Sequence, residues 1–309
     1  MAQMASAQQP LSWTVTGKGA IGLLAACRLQ QASIPVTLWL RQGSNARLDV
    51  MFHQADTVHN LHFALARHTE QLSFVFMPVK TYDVLTCFTR LQSGLAHNAQ
   101  LVLSHNGMGI AEQLLPLLAP QQGLWFLSTS QGAMKTADNT VIHRGSGQSY
   151  LAPMNQAAQC NSQPVISAMQ SAFPPLQVVA DITPFLWQKL AVNAVINPLT
   201  AIYQCPNGDL LQPQYREQIT AIVSETCAVA AAAGQQLLPE DTLETVLHVA
   251  EKTAANYSSM QQDVAAKRKT EINAINGYLV QQAGHYGIDV PQNNRLLQLI
   301  TRTEAAYGR

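Results

Sequence analysis

The sequence predicts an α/β chain in two parts: an open, mostly parallel sheet interleaved with helices, followed by an all-α region. Three observations predict it. Short runs rich in β-branched and aromatic residues alternate with helix-like stretches up to about residue 180. A glycine-rich turn joins the first of these runs to the first helix, and beyond about residue 181 long segments of helical spacing replace strand-like alternation. At 309 residues the chain also exceeds what one hydrophobic core usually serves. The expected division is a frayed tail at 1–10, a sheet domain at 11–180 and a helical domain at 181–309.

The first element is a strand over 11–16, which ends in Gly17-Lys18-Gly19-Ala20-Ile21-Gly22 and passes into a helix over 23–30 and a second strand over 36–40. Glycines in this G-x-G-x-x-G pattern have separate tasks when strand, turn and helix surround them. Gly17 permits the tight turn, Gly19 lets the backbone approach a pyrophosphate, and Gly22 lets the helix pack closely on the strand. The unpaired amides at the helix start then face the anion. The first part therefore reads as a Rossmann-type dinucleotide-binding domain, with residues 17–22 at the phosphates. Lys18 adds charge there or points into solvent. Where an NAD-preferring site places a carboxylate at the end of the second strand, this chain has Arg41. A guanidinium can bind a 2′-phosphate bidentately, which favours NADPH.

Further strands are predicted at 73–77, 101–104, 124–129, 140–144 and 149–151, with a helix over 82–91. Two strand ends carry polar residues where an open sheet binds its ligand: Pro78-Val79-Lys80 and His105-Asn106-Gly107-Met108-Gly109. Asn106-Gly107 is equally readable as a hairpin turn, and Lys80 as a surface lysine.

In the second part, helices are predicted at about 185–202, 212–233, 241–268, 270–286 and 293–306, with Gly234 and Gly287 as stops. The first of them is apolar almost all round. Its exceptions, Lys189, Asn193 and Asn197, recur every four residues and so share one stripe. A lysine among apolar neighbours loses hydration, its pKa falls, and it becomes a candidate general acid. The competing reading is a lysine whose stem lies on the core and whose head reaches water. Glu271 falls on a stripe with Ile275, Tyr278 and Gln282, at the edge of a core face, where a carboxylate needs a cationic or hydroxylic partner. Asn256 and Ser259 are expected three apart on one helix face.

Composition narrows the partners. Eighteen basic residues balance eighteen acidic ones, so no field marks a nucleic-acid or membrane partner, and the ligand is expected to be small. Five scattered cysteines form no CxxC pair, against both a disulfide framework and a metal site. No apolar stretch approaches the roughly 18 residues that span a bilayer, and residues 1–10 have no signal-peptide character. A cytoplasmic location is expected. Oligomeric state is left open, a homodimer included.

Taken together, the blocks at 17–22, 79–80, 105–109, 187–208 (WQKLAVNAVINPLTAIYQCPNG) and 256–277 (with SSMQQD and KTEINAINGY) resemble the ketopantoate reductase family. The resemblance extends from Trp13 to the end of the chain and is weakest over 42–72. It implies NADPH-dependent reduction of 2-dehydropantoate to pantoate, on the route to pantothenate and coenzyme A. It also implies that Lys189 is the general acid, and that Glu271 orients the substrate hydroxyl and holds the lysine in place. By the same resemblance Asn193, Asn197, Asn256 and Ser259 bind substrate and Asn207 joins them; Arg41, Lys80 and Asn106 contact cofactor, Asn106 reaching substrate as well. Two other readings stand beside it: a reductase of another branched 2-oxo acid, and a cofactor-binding sensor without turnover. A binder needs neither Lys189 nor Glu271, which weighs against the sensor.

Overall fold

The computed structural model describes residues 12–41, 47–66, 71–136 and 139–307; the expected tail at 1–10 lies outside the described residues. The chain divides into two compact units, Met1–His105 with Ala111–Ile182, and Thr183–Arg309 with Asn106–Ile110.

The first unit is built on one sheet. Its elements are β1 (Trp13–Thr16), α1 (Ala20–Gln31), β2 (Val36–Trp39), β3 (Arg47–Gln54), β4 (Thr57–Leu65), β5 (Leu72–Met77), α2 (Thr81–Leu91), β6 (Leu95–Leu103), α3 (Ile110–Leu114), β7 (Gly123–Thr129), β8 (Gly132–Lys135), β9 (Thr140–Gly145), β10 (Ser149–Pro153), α4 (Gln156–Cys160), α5 (Ser162–Ala172) and β11 (Leu176–Val178). Strand order is β11-β10-β7-β6-β5-β1-β2-β4-β3-β9-β8. The central run β2-β1-β5-β6-β7 is parallel, and β1, β5 and β7 within it are almost wholly buried, as expected when a sheet is covered on both faces. Trp13, Leu23, Phe52, Phe76, Trp125 and Phe173 fill the core.

Two strands unforeseen in the sequence, β3 and β4, form an antiparallel hairpin beside β2, inside the stretch where the family resemblance is weakest. The hairpin turns Leu48, Val50 and Phe52 and then Leu61, Phe63 and Leu65 toward the core at period two, but each run is only three residues long and exposed apolar residues such as Met51 and Val58 break the contrast between the faces.

The second unit consists of α6 (Thr183–Tyr203), α7 (Arg216–Ala232), α8 (Pro239–Lys252), α9 (Ser259–Ala265), α10 (Asn276–Tyr286) and α11 (Pro291–Ala305). The apolar α6 is its axis, with α7, α8, α9 and α11 packed on it. Gly234 and Gly287 do stop helices, at φ +78° and +68°.

Two expected helices are each broken, and both breaks matter for the site. The stretch expected over 241–268 is α8, a loop and then α9, because the loop carbonyls of Ala254 and Asn256 accept the amides of Gly208 and Asn207 instead of continuing a helix. The stretch expected over 270–286 starts as a single tight turn at Ile272–Ala274 before α10. Asn256 is thus a loop residue and not a helical neighbour of Ser259, and Glu271 precedes the tight turn and does not ride a helical stripe.

Candidate active site

In the first unit the glycine turn lies at the carboxyl end of β1. Gly17 turns at φ +78°, and a Cβ on Gly22 would stand 3.1 Å from Pro78 Cγ and 3.4 Å from Val15 Cγ1, so helix and strands meet there at the limit of contact. The start of α1 is left without side-chain caps: Gly19 makes no capping bond, no acidic residue occupies the first turn, and nothing lies within 4 Å of a Cβ built at Gly19. Exposed Lys18 and partly buried Ala20 and Ile21 complete the turn. Open amides with no competing carboxylate fit a pyrophosphate.

A cleft beside this turn is lined by Gly17, Trp39, Arg41, Val79 and Arg90 among others. Lys80, partly buried, immediately precedes α2 at the end of β5. Arg41, the residue expected at a 2′-phosphate, is ion-paired with Asp83 of α2, which no motif in the sequence singles out. The pair raises the guanidinium pKa through hydrogen bond and charge. The one signal for Asp83 was its place in the first turn of a helix, where a carboxylate is favoured.

In the second unit, α6 presents Lys189, Asn193 and Asn197 on one stripe, Asn197 buried and the other two partly so. Desolvation pulls the Lys189 ammonium from its ordinary value to about 8, against Glu271, whose charge pulls it upward. Glu271 is itself buried, 4% exposed, and its Oε2 accepts from Asn106 Nδ2 at 3.2 Å. Lys189, Glu271 and Asn106 therefore form one electrostatic group. Its backbone support is close: Met108 N donates to Ala274 O at 3.0 Å, and Gly107, at φ +77°, lies against Ala274 so tightly that any Cβ would collide with the backbone. Only glycine fits there.

The remaining polar residues lie in loops and at the start of α9. Asn207 Nδ2 donates to Thr253 Oγ1 at 2.8 Å and Asn207 N to Asn256 O at 2.9 Å, which sets Asn207 beside Asn256. Ser258 caps α9 by accepting from Gln261 N at 3.0 Å, and it also accepts from Thr200 Oγ1 of α6 at 2.7 Å. That bond fixes exposed Ser259, the first residue of α9, relative to α6. The sequence did hold a signal, the capping pattern Ser258-x-x-Gln261, which marks a helix start. Asn193 Nδ2 and Asn207 Oδ1 are buried atoms with no hydrogen-bond partner among the described residues. Such atoms are costly unless a ligand satisfies them. Among the described residues no group of histidine, cysteine and carboxylate side chains is arranged to hold a metal.

Two family models match the chain, one described as "Ketopantoate reductase PanE/ApbA" over residues 13–156 and one as "Ketopantoate reductase PanE/ApbA C terminal" over 181–304. The chain is 36% identical over 297 residues to the 2-dehydropantoate 2-reductase of Vibrio cholerae serotype O1, covering 96% of this chain and 98% of that protein. It is 30% identical to the 2-dehydropantoate 2-reductase of Archaeoglobus fulgidus, over 94% and 97% of the two chains. Among solved structures, a PanE/ApbA family ketopantoate reductase from Ralstonia eutropha JMP134 superposes with TM-score 0.84 at 23% identity, covering 96% of this chain and all of that one. A D-mandelate dehydrogenase in complex with NADH superposes with TM-score 0.86 at 19% identity over the same shares.

Proposed function

The chain belongs to the ketopantoate reductase family, and from that premise we propose that it reduces 2-dehydropantoate to pantoate with NADPH, Lys189 serving as proton donor. When bound, the dinucleotide supplies hydride to the substrate carbonyl carbon; the chain must hold the oxo acid and protonate the oxygen. The observation that supports this most is the group at α6: a lysine near pKa 8, coupled to a buried carboxylate on a stripe with two asparagines. At neutral pH such a lysine is largely an ammonium ion, yet it gives up its proton more readily than an exposed one. It stabilises the oxygen as negative charge develops and transfers its proton there.

Glu271 keeps Lys189 charged and accepts from the substrate hydroxyl. Asn193 offers its unpartnered amide to the substrate, with Asn197, Asn207, Asn256 and Ser259 holding its carboxylate and hydroxyl groups. In the first unit, residues Gly17 to Gly22 receive the pyrophosphate, Arg41 the 2′-phosphate, and Lys80 the adjoining part of the cofactor; Asn106 serves cofactor and substrate. We extend the proposal to a cytoplasmic location and to a homodimer, the state named for the dimeric ketopantoate reductase of Staphylococcus aureus. Among the described residues no helix is long and apolar enough to cross a membrane.

Lys189→Ala tests the mechanism. NADPH oxidation with 2-dehydropantoate should fall about a hundred- to ten-thousand-fold, the range of general-acid catalysis, while NADPH affinity, read by quenching of protein fluorescence, stays near that of the parent chain. Unchanged turnover would remove Lys189 from the chemistry. Faster reduction of another branched 2-oxo acid in a parallel panel would move the substrate assignment to that acid.

A further inference from the structure

Helix α6 contains Pro198 in its interior. Proline has no N–H, so the carbonyl four residues earlier, that of Ala194, loses its helical donor, and the ring crowds the same carbonyl. Ala194 is fully buried, so water cannot replace the lost bond.

The replacement comes from another helix. Asn276 Nδ2, in the first turn of α10, donates to Ala194 O at 3.0 Å and to Asn293 Oδ1 at 3.0 Å. Asn293 Nδ2 donates to Glu225 Oε2 at 2.8 Å, and the Glu225 carboxylate also accepts the backbone amides of Gln292 and Asn293 at 2.8 and 2.9 Å. Asn276 and Asn293 are both 0% exposed. Asn276 Oδ1 is itself buried with no hydrogen-bond partner among the described residues, a cost that an apolar residue would avoid, so the side chain is kept for what its amide donates to, the carbonyl that Pro198 orphans among them.

Its position gives it a task. Ala194 adjoins Asn193 and lies between Lys189 and Asn197 on α6, while Asn276 follows Glu271 across the single turn Ile272–Ala274. We propose that Asn276 is a positioning residue, which uses the acceptor created by Pro198 to lock the Lys189 helix against the Glu271 turn, with Asn293 and Glu225 holding Asn276 in register. The assignment rests on Lys189 and Glu271 acting as the proton donor and its partner.

Asn276→Leu keeps the branching of the side chain, at a somewhat larger volume, and removes both N–H donors. We expect kcat to fall about tenfold, as for an orphaned buried acceptor, with a displaced alkaline limb in the pH profile and little change in NADPH affinity. Adding Pro198→Ala returns an amide to Ala194 O within α6 and should recover most of the lost kcat and the parent pH limb. A merely space-filling Asn276 gives no such rescue. Parent-like kcat and pH profile in Asn276→Leu overturn the proposal, as does a folded double variant that stays slow. Should Asn276→Leu alone fail to fold, the double variant decides, and its failure to fold also overturns the proposal, because a positioning role predicts a folded rescue. Melting temperatures of the parent, both single variants and the double variant read the same coupling without substrate. If the parent chain itself shows no turnover, the functional reading fails while this coupling still tests the Asn276 link.

Discussion

Lys189 is subject to two opposed forces, and their balance sets the pH range in which it can act. Burial disfavours its charged form and the Glu271 carboxylate favours it, with the net result near pKa 8. Because the protonated amine is the donor, activity should be full below about pH 8 and fall as pH rises through it. Glu271→Gln removes the force that holds the pKa up. The alkaline limb of kcat/KM should therefore shift to lower pH, measured by NADPH oxidation across pH 6 to 10. A shift upward would mean that Glu271 does not act on Lys189 through its charge. Arg41 has its own contest. A 2′-phosphate must draw the guanidinium away from Asp83 and lie near that carboxylate, whereas a 2′-hydroxyl can donate to it. Asp83→Asn is expected to tighten NADPH by about threefold, the modest scale of an exposed ion pair, without tightening NADH. Fluorescence titration with each nucleotide measures this, and weaker NADPH binding would show that Asp83 orients Arg41 instead.

At the scale of elements, the second unit places its chemistry by interrupting helices. The break between α8 and α9 lets Asn256 meet the Asn207 loop, and the break before α10 leaves Glu271 pointing from a turn at Asn106. Ser258 anchors the first break with one oxygen that accepts both Gln261 N and Thr200 Oγ1. Ser258→Ala is expected to cost about 1 kcal/mol for the lost cap, while the Thr200 hydroxyl keeps its bond to Ile196 O at 2.7 Å. Urea unfolding measures that loss. The KM for the oxo acid should rise more than the KM for NADPH, since the start of α9 bears Ser259. Equal changes in both would argue for general loosening. The breaks were hard to read because the apolar spacing continues across them; only the Ser258 capping pattern marked one, and the partners that stabilise the loop carbonyls lie about fifty residues away in sequence.

Across the whole molecule, what could be read early was what depends on near neighbours. The strand, glycine turn and helix at residues 13–31 are specified by local backbone requirements, and the stripe Lys189, Asn193, Asn197 follows from helical period alone. The family followed from such blocks. The hairpin β3–β4 presents only three core-facing residues per strand, with exposed apolar residues such as Met51 and Val58 between them, so its period-two pattern stands out poorly from the sequence alone. By itself, then, the sequence determined the sheet-then-helix architecture and the glycine-rich pattern, and it singled out Lys189 and Glu271 as candidates. Only the tertiary structure decided that Glu271 meets Asn106 across 165 residues, that Arg41 is held by Asp83, and that Asn276 answers the carbonyl left by Pro198. The physical reason is range. Propensity and periodicity act over a few residues, whereas the partner of a buried charge or an orphaned carbonyl is whatever the packed fold brings within hydrogen-bonding distance.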